Sequence, residues 1–162
     1  MKKKIWLIFI GCLIVGLVIG AFCGVIFTTK QFAETLALLK EGEMSESGER
    51  AFQAYQHESN SIGIYALTQD LKILQDAKEL GNNPFFATPT EVQRRLMFNH
   101  ARLAKLLAES GQTNASIGHI AEALKYAQET STDPNPIARF SSVTNETQLS
   151  KTLSKFDQKG VP

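Results

Sequence analysis

The hydrophobic pattern opens with an uncharged run from Ile5 to Phe27. At about 1.5 Å of rise per residue, this run makes a helix of roughly 35 Å, enough to cross a hydrocarbon core of about 30 Å. Lysines fill positions 2–4, and basic residues are sparse after the run. The positive-inside rule then places the N-terminus in the cytoplasm and the rest of the chain outside. We predict a cytoplasmic N-terminus at 1–4 and a transmembrane signal-anchor helix at 5–29.

Two other targeting signals compete for the same run. A cleavable signal peptide has an apolar region of about 7–15 residues, shorter than this one, and would use Ala21 and Cys23 as its small residues. A lipoprotein signal would use Cys12, with almost no apolar region before it, or Cys23, next to the bulky Phe22. We favour an uncleaved anchor in a bacterial inner membrane with a periplasmic domain, and whether the anchor is cleaved stays open.

A strip of glycines runs along the predicted anchor. Gly16, Gly20 and Gly24 are spaced by four, so they stack on one helix face. This small-xxx-small arrangement lets a second helix backbone approach closely. We expect these three residues to pack against a second copy of the chain or against another membrane protein.

Beyond the anchor, the pattern is helical but interrupted. Gln31–Lys40 places Phe32, Leu36 and Leu39 on one face. Glycines and serines between Gly42 and Gly48 then predict a polar break. We therefore assign 30–48 to a juxtamembrane helix and loop.

Glu49–Leu80 is again helical and carries two apolar stripes, which is typical of a helix covered on more than one side. Asn60, Ser61 and Gly63 leave open whether it is one helix or two, and Gly81 ends it. The two stripes are Phe52, Tyr55, Ser59, Ile62, Ala66, Gln69 and Ile73, and Ile64, Leu67, Leu71 and Leu74.

Three more helices follow. Thr88-Pro89-Thr90-Glu91 is a capping box with proline at the first helical position, so a helix begins there, runs to about Ser110 and ends at Gly111. Thr113 or Asn114 caps a second helix over about 115–129. Proline-rich residues 133–136 stop it, and a short helix over 145–157 turns Leu149, Leu153 and Phe156 inward. No run alternates as a strand does, so the fold class is all-α: a single transmembrane helix followed by a small helical domain of about five helices. We assign 49–136 to the α-helical domain and 137–162 to a C-terminal tail that contains the short helix.

Residues 100–124 resemble a tetratricopeptide-repeat hairpin. Small and apolar residues fill the first helix (Leu103, Ala104 and Leu107), the turn (Gly111) and the second helix (Ser116, Ile120, Ala123 and Leu124). His100 stands where that family prefers an aromatic residue. The match covers about one repeat, whereas three or more are usual for stability. The resemblance implies an antiparallel helical pair and, as the alternative to an irregular bundle, a surface that binds peptides or proteins.

Composition and motifs narrow the chemistry. Lys and Arg number 17 and Asp and Glu 16, and no basic stripe of the kind that nucleic-acid binding needs is visible. Both cysteines lie in the hydrophobic run, so the domain has no thiol that could act in catalysis. The three histidines lack the spacing of a metal site, although His100 and His119 can face each other across the hairpin. The carboxylates Glu41, Glu43, Glu46 and Glu49 fall in the predicted loop and look solvated. We predict no catalytic residues, no cofactor and no metal.

Two features are candidate docking surfaces. Arg94, Arg95, Arg102 and Lys105 give one helix a basic face, which is either an ordinary solvated side or a contact for an acidic partner or lipid headgroups. Phe85 and Phe86 follow Asn83-Pro84 between helices, and they either plug the core or form an apolar docking patch.

The function we predict is a membrane-anchored, non-enzymatic protein-interaction or scaffold subunit of an envelope complex. Its partner would be a protein or a second copy joined through the anchor, with no nucleic acid and no evident small-molecule substrate. The alternative is a periplasmic ligand-sensing bundle that acts through a membrane partner, since only four residues precede the anchor. Partner and pathway are not readable from the sequence.

Overall fold

The structure is a computed structural model, and it describes residues 29, 31–32, 34–79, 89–130, 140 and 142–158. The chain divides into two compact units, Met1–Leu38 and Leu39–Pro162. The predicted anchor, Ile5–Phe27, lies outside the described residues. Within the described part, no helix is long and apolar enough to span a bilayer.

Five helices and no strands make up the described part of the chain, as the all-α prediction required. Helix α1 covers residues 34–57, α2 Asn60–Glu79, α3 Pro89–Glu109, α4 Thr113–Thr130 and α5 Glu146–Asp157. The open question about residues 49–80 resolves into two helices, with the break at residues 58–59. The short C-terminal helix is also confirmed, with Leu149 and Leu153 buried.

The predicted polar break between Gly42 and Gly48 is wrong, because α1 continues through it. Met44 and Gly48 lie on the buried side of this helix, in line with Ala51. A glycine in a helix costs only about 1 kcal/mol, which the burial of such a face can offset. The carboxylates of Glu43 and Glu46 therefore lie on a helix and not in a loop, paired with Lys40 and Arg50.

Short connections pair consecutive helices into hairpins. Two residues join α1 to α2, so these helices form an antiparallel pair. A second pair, α3 and α4, turns at Gly111, whose φ of 76° is left-handed. Two backbone hydrogen bonds close that turn, from Gly111 N to Ala108 O and from Gln112 N to Leu107 O. This is the Schellman arrangement that glycine favours at a helix end, and it confirms the predicted hairpin.

Helix α3 is the centre of the domain. Every residue from Leu96 to Ala104 is buried, because α3 contacts α2, α4 and α5 and meets α1 through its long side chains. The two apolar stripes of 49–80 instead predict that the later part of that segment is covered on more than one side. One stripe of α2 is indeed core, with Leu67, Leu71 and Leu74 buried, but Ile62 on its other stripe is 48% exposed.

Candidate functional site

A buried acid on α2 ties three helices together. Asp70 is fully buried, and its carboxylate accepts a hydrogen bond from Asn99 Nδ2 of α3. The guanidinium of Arg95 lies 3.5 Å from both carboxylate oxygens and donates to the Met44 carbonyl of α1 at 2.7 Å. A side chain at Gly48 would collide with this guanidinium, since an added Cβ would lie 2.0 Å from its nitrogen. The absence of a side chain at Gly48 therefore leaves room for Arg95 to reach α1.

A second polar cluster surrounds Arg102, which is only 1% exposed. Its Nε and one terminal nitrogen donate to Asp157 Oδ1 of α5, at 3.0 and 2.9 Å. The hydroxyl of Tyr55 donates to the other carboxylate oxygen at 2.8 Å and accepts from Lys105 Nζ at 3.1 Å. The guanidinium carbon also lies 4.6 Å from the centre of the Phe52 ring, within cation–π range.

The predicted basic face of α3 is therefore wrong for Arg102, which faces the core. Its guanidinium lies near the rings of Phe52 on α1 and Phe98 on α3, while Asp157 balances its charge. Burial lowers the pKa of the Arg102 guanidinium, and the Asp157 charge opposes that effect.

The same cluster is badly suited to acid–base chemistry. Burial raises the pKa of the Tyr55 hydroxyl, and the hydrogen bond to Tyr55 raises the pKa of the Lys105 ammonium. A general acid or base works best with a pKa near the operating pH, and both groups move away from neutrality. The cluster holds charge in place and joins α1, α3 and α5.

Two histidines meet across the α3–α4 hairpin, as their positions in the sequence allowed. His100 Nδ1 and His119 Nδ1 lie 2.8 Å apart, and the His100 ring stacks on Tyr126 at 5.7 Å. Burial, followed by the neighbouring His119, lowers the pKa of His100 to about 4. Burial also lowers the pKa of His119. Within the described residues, His100 Nε2 is buried without a hydrogen-bond partner.

Of the predicted site residues, only Arg94 and Arg95 lie in the part of the chain that the structure describes. Gly16, Gly20, Gly24, Phe85 and Phe86 lie outside the described residues, so their roles stay predictions. Neighbouring side chains on α3 use their charges differently. Arg94 pairs with Glu91 near the surface, whereas the guanidinium of Arg95 is mostly buried and bonded inside the domain.

Several hollows open at the described surface, among them a polar pocket of about 380 Å³ whose lining includes Tyr55, Lys105 and Asp157. A groove of about 400 Å³ lies between α1 and α2, with Ala51, Ala66 and Ile73 among its lining residues. Tyr65, 67% exposed, also lines it. A smaller cavity of about 200 Å³ lies between α3, α4 and α5. Across the described residues, no group of three or more His, Cys, Asp or Glu side chains is arranged to hold a metal ion.

No family model, curated protein or solved structure matches the chain. The tetratricopeptide resemblance thus depends only on the hairpin, where the Ser116 hydroxyl donates to the Ala104 carbonyl at 2.8 Å and a small side chain lets α4 lie close to α3.

Proposed function

We propose that the protein is a single-pass, membrane-anchored interaction or scaffold subunit of a bacterial envelope complex, without catalytic activity. The N-terminal run from Ile5 to Phe27 would hold it in the inner membrane, with the helical domain in the periplasm. The glycines at 16, 20 and 24 would pack this anchor against a partner helix. The α3–α4 hairpin would act as one tetratricopeptide-like unit of the binding domain.

The observation that carries the proposal is the open groove between α1 and α2. Ala51, Ala66 and Ile73 give it apolar surface, and charged residues of α1, Glu43, Glu46 and Arg50, stand beside them. Tyr65 and Ile62, one turn apart on α2, leave apolar surface in solvent. Clustered apolar exposure of this kind marks interaction sites. By contrast, the buried charges Asp70, Arg95 and Arg102 are occupied in joining helices, and they serve the fold.

A regular repeat array is disfavoured by the spacing of the turns. The α1–α2 turn lies at 58–59 and the α3–α4 turn at 110–112, much farther apart than the about 34 residues of a tetratricopeptide repeat. The domain is thus better treated as two unequal hairpins with a fifth helix.

The ligand-sensing alternative has two observations in its favour, the cavity of about 200 Å³ between α3, α4 and α5 and the pocket of about 380 Å³ at Tyr55, Lys105 and Asp157. The first is smaller than the roughly 300–1,000 Å³ of usual ligand pockets, and the second is lined by polar residues, whereas usual ligand pockets are lined mainly by apolar side chains. Size and lining together therefore favour protein binding.

The test is a mild-detergent purification of the full chain at native expression, with mass spectrometry of what comes with it. We expect one stoichiometric membrane partner, reduced by Tyr65→Ala in the groove and by Gly20→Leu in the anchor. Ile117→Ala is the matched control, because Ile117 is 60% exposed on α4 away from the groove. Recovery of the chain alone, or equal loss with the control variant, would refute the proposal.

A further inference from the structure

The C-terminal segment 140–158 packs on the α3–α4 hairpin, and we call the surface of the hairpin that it covers the seat. Helix α5 presents Leu149 and Leu153 to this seat, and Phe156 packs against Phe98 with ring centres 4.7 Å apart. Phe140 adds an edge-to-face contact to the same Phe98 ring, at 5.6 Å. The seat therefore recognises an amphipathic helix through one apolar stripe.

The charge at the end of the seat makes it selective. Arg102 is buried among aromatic rings and bonded to the Asp157 carboxylate, with the Tyr55 hydroxyl on the other oxygen. A helix that lacked an acidic residue at the position of Asp157 would leave the buried Arg102 guanidinium without a counter-charge, which is strongly unfavourable. Lys105, bonded to the same hydroxyl, adds positive charge. The seat consequently selects a helix whose apolar stripe ends on a carboxylate.

The fit of α5 to its seat is incomplete. The cavity of about 200 Å³ is an open cleft along one side of α5, and α3 contributes three alanines and Lys105 to its lining. Glu146, Leu149, Leu153 and the exposed Ser150 line the same cleft from α5. A larger apolar residue in place of Ser150 would cover more of the apolar surface of the alanines and leucines, so a helix that carries one would bind better. The alanines concerned are Ala101, Ala104 and Ala108.

We propose that α5 is a tethered occupant of a docking surface, and that the surface accepts an acidic amphipathic helix from a partner protein. The partner helix would repeat the leucine pair and terminal carboxylate of α5, with a bulkier apolar residue in place of Ser150. Helix α5 is 12 residues long, and helices of this length are marginal by themselves. Because α5 is covalently attached to the domain, its effective concentration at the seat is high, and this compensates for its marginal stability as a helix. This inference rests on the proposed interaction function and goes beyond it, because it adds a second docking surface away from the α1–α2 groove and names the chemistry of the partner.

The experiment uses the full chain in mild detergent and fluorescent peptides of residues 140–158, read by anisotropy. The peptide carrying Ser150→Leu should bind, and the native peptide should bind about tenfold more weakly, since one buried leucine is worth roughly 1.5 kcal/mol. Adding Asp157→Asn to the tighter peptide should abolish binding. In the chain itself, Ser150→Leu should raise the melting temperature and exclude every peptide.

If α5 leaves its seat slowly, a peptide will not bind to the native chain even when the inference is right. A chain with Leu153→Ala holds α5 less tightly, so it should bind the tighter peptide more strongly than the native chain does. If neither the native chain nor this variant binds the peptide while both stay helical by circular dichroism, α5 is a fixed part of the core and the inference is wrong. The proposed function fails separately. If the purification yields a partner whose binding ignores Ser150→Leu in the chain, the interaction role stands and only this seat is excluded.

Discussion

Acidification should weaken the domain through His100. The group titrates near pH 6.5 when unfolded and near pH 4 in the fold, where it is 5% exposed. Between these values, the unfolded chain binds a proton that the folded chain refuses, so the proton favours unfolding. The stability is complete above about pH 6.5, and it is lost progressively as the pH falls towards 4.

The size of the effect follows from the two pKa values. At about 1.4 kcal/mol for each tenfold change in proton affinity, the loss is about 2 kcal/mol at pH 5 and about 3 kcal/mol below pH 4. On α4, His119 also lowers the pKa of His100, Glu122 raises it, and Lys125 lowers it. Lys78 of α2 lies 4.6 Å from the centre of the Tyr126 ring against which His100 stacks. Burial is the largest of these causes.

The assay is urea unfolding of the full chain, followed by circular dichroism at several pH values between 8 and 4. His100→Phe keeps a flat ring beside Tyr126 but removes the titrating nitrogens. We expect it to be less stable than the native chain at pH 8 by about 1 kcal/mol, the typical worth of the hydrogen bond to His119. Its stability should then fall less on acidification, by about 3 kcal/mol at pH 4.

Comparing variant with native chain removes the contribution of carboxylates, which titrate equally in both. His57→Gln is the matched control, because His57 is exposed near the end of α1. It should keep the native pH profile. If His100→Phe loses stability on acidification as steeply as the native chain does, the buried histidine is not the cause and the reasoning fails.

Three substitutions, the first with a matched control, test the rest of the architecture by the same unfolding assay. Gly48→Ala should cost about 1–3 kcal/mol by displacing Arg95, whereas Gly42→Ala, whose new methyl meets nothing within 4 Å among the described residues, should add about 0.5–1 kcal/mol; equal effects would contradict the close approach at 48. Asp157→Asn should cost about 2–3 kcal/mol by leaving the buried guanidinium without its counter-charge, and a loss below 0.5 kcal/mol would place that charge in solvent. Gly111→Ala should cost about 1 kcal/mol because of its left-handed φ, and no loss would rule out that turn.

Local patterns in the sequence were enough to predict most of the helices. Pro89 with Glu91, Gly111 and Asn145 mark helix ends by backbone geometry or capping, which act within a few residues. At α5, for example, the Asn145 side chain accepts the Gln148 N–H at 3.0 Å. The pairing of His100 with His119 was also within reach, because the Gly111 turn fixes which residues of the hairpin face each other.

The buried charges were beyond local reasoning. Arg94, Arg95 and Arg102 look alike in the sequence, yet one pairs at the surface and two are bonded inside the domain. Their partners, Asp70 and Asp157, lie on other helices, far away along the chain. Whether an arginine faces solvent or core depends on which helices pack around it, and no local period records that.

The sequence alone determined the all-α class, the approximate ends of α3, α4 and α5, and the α3–α4 hairpin, since these depend on propensity, capping and turn geometry over a few residues. Only the tertiary structure decided that α1 runs unbroken through its glycines, that α3 is the central helix, and that Arg102 closes on Asp157 of α5. Those outcomes depend on which surfaces are buried together, and burial is a property of residues that meet in space and are distant in the chain.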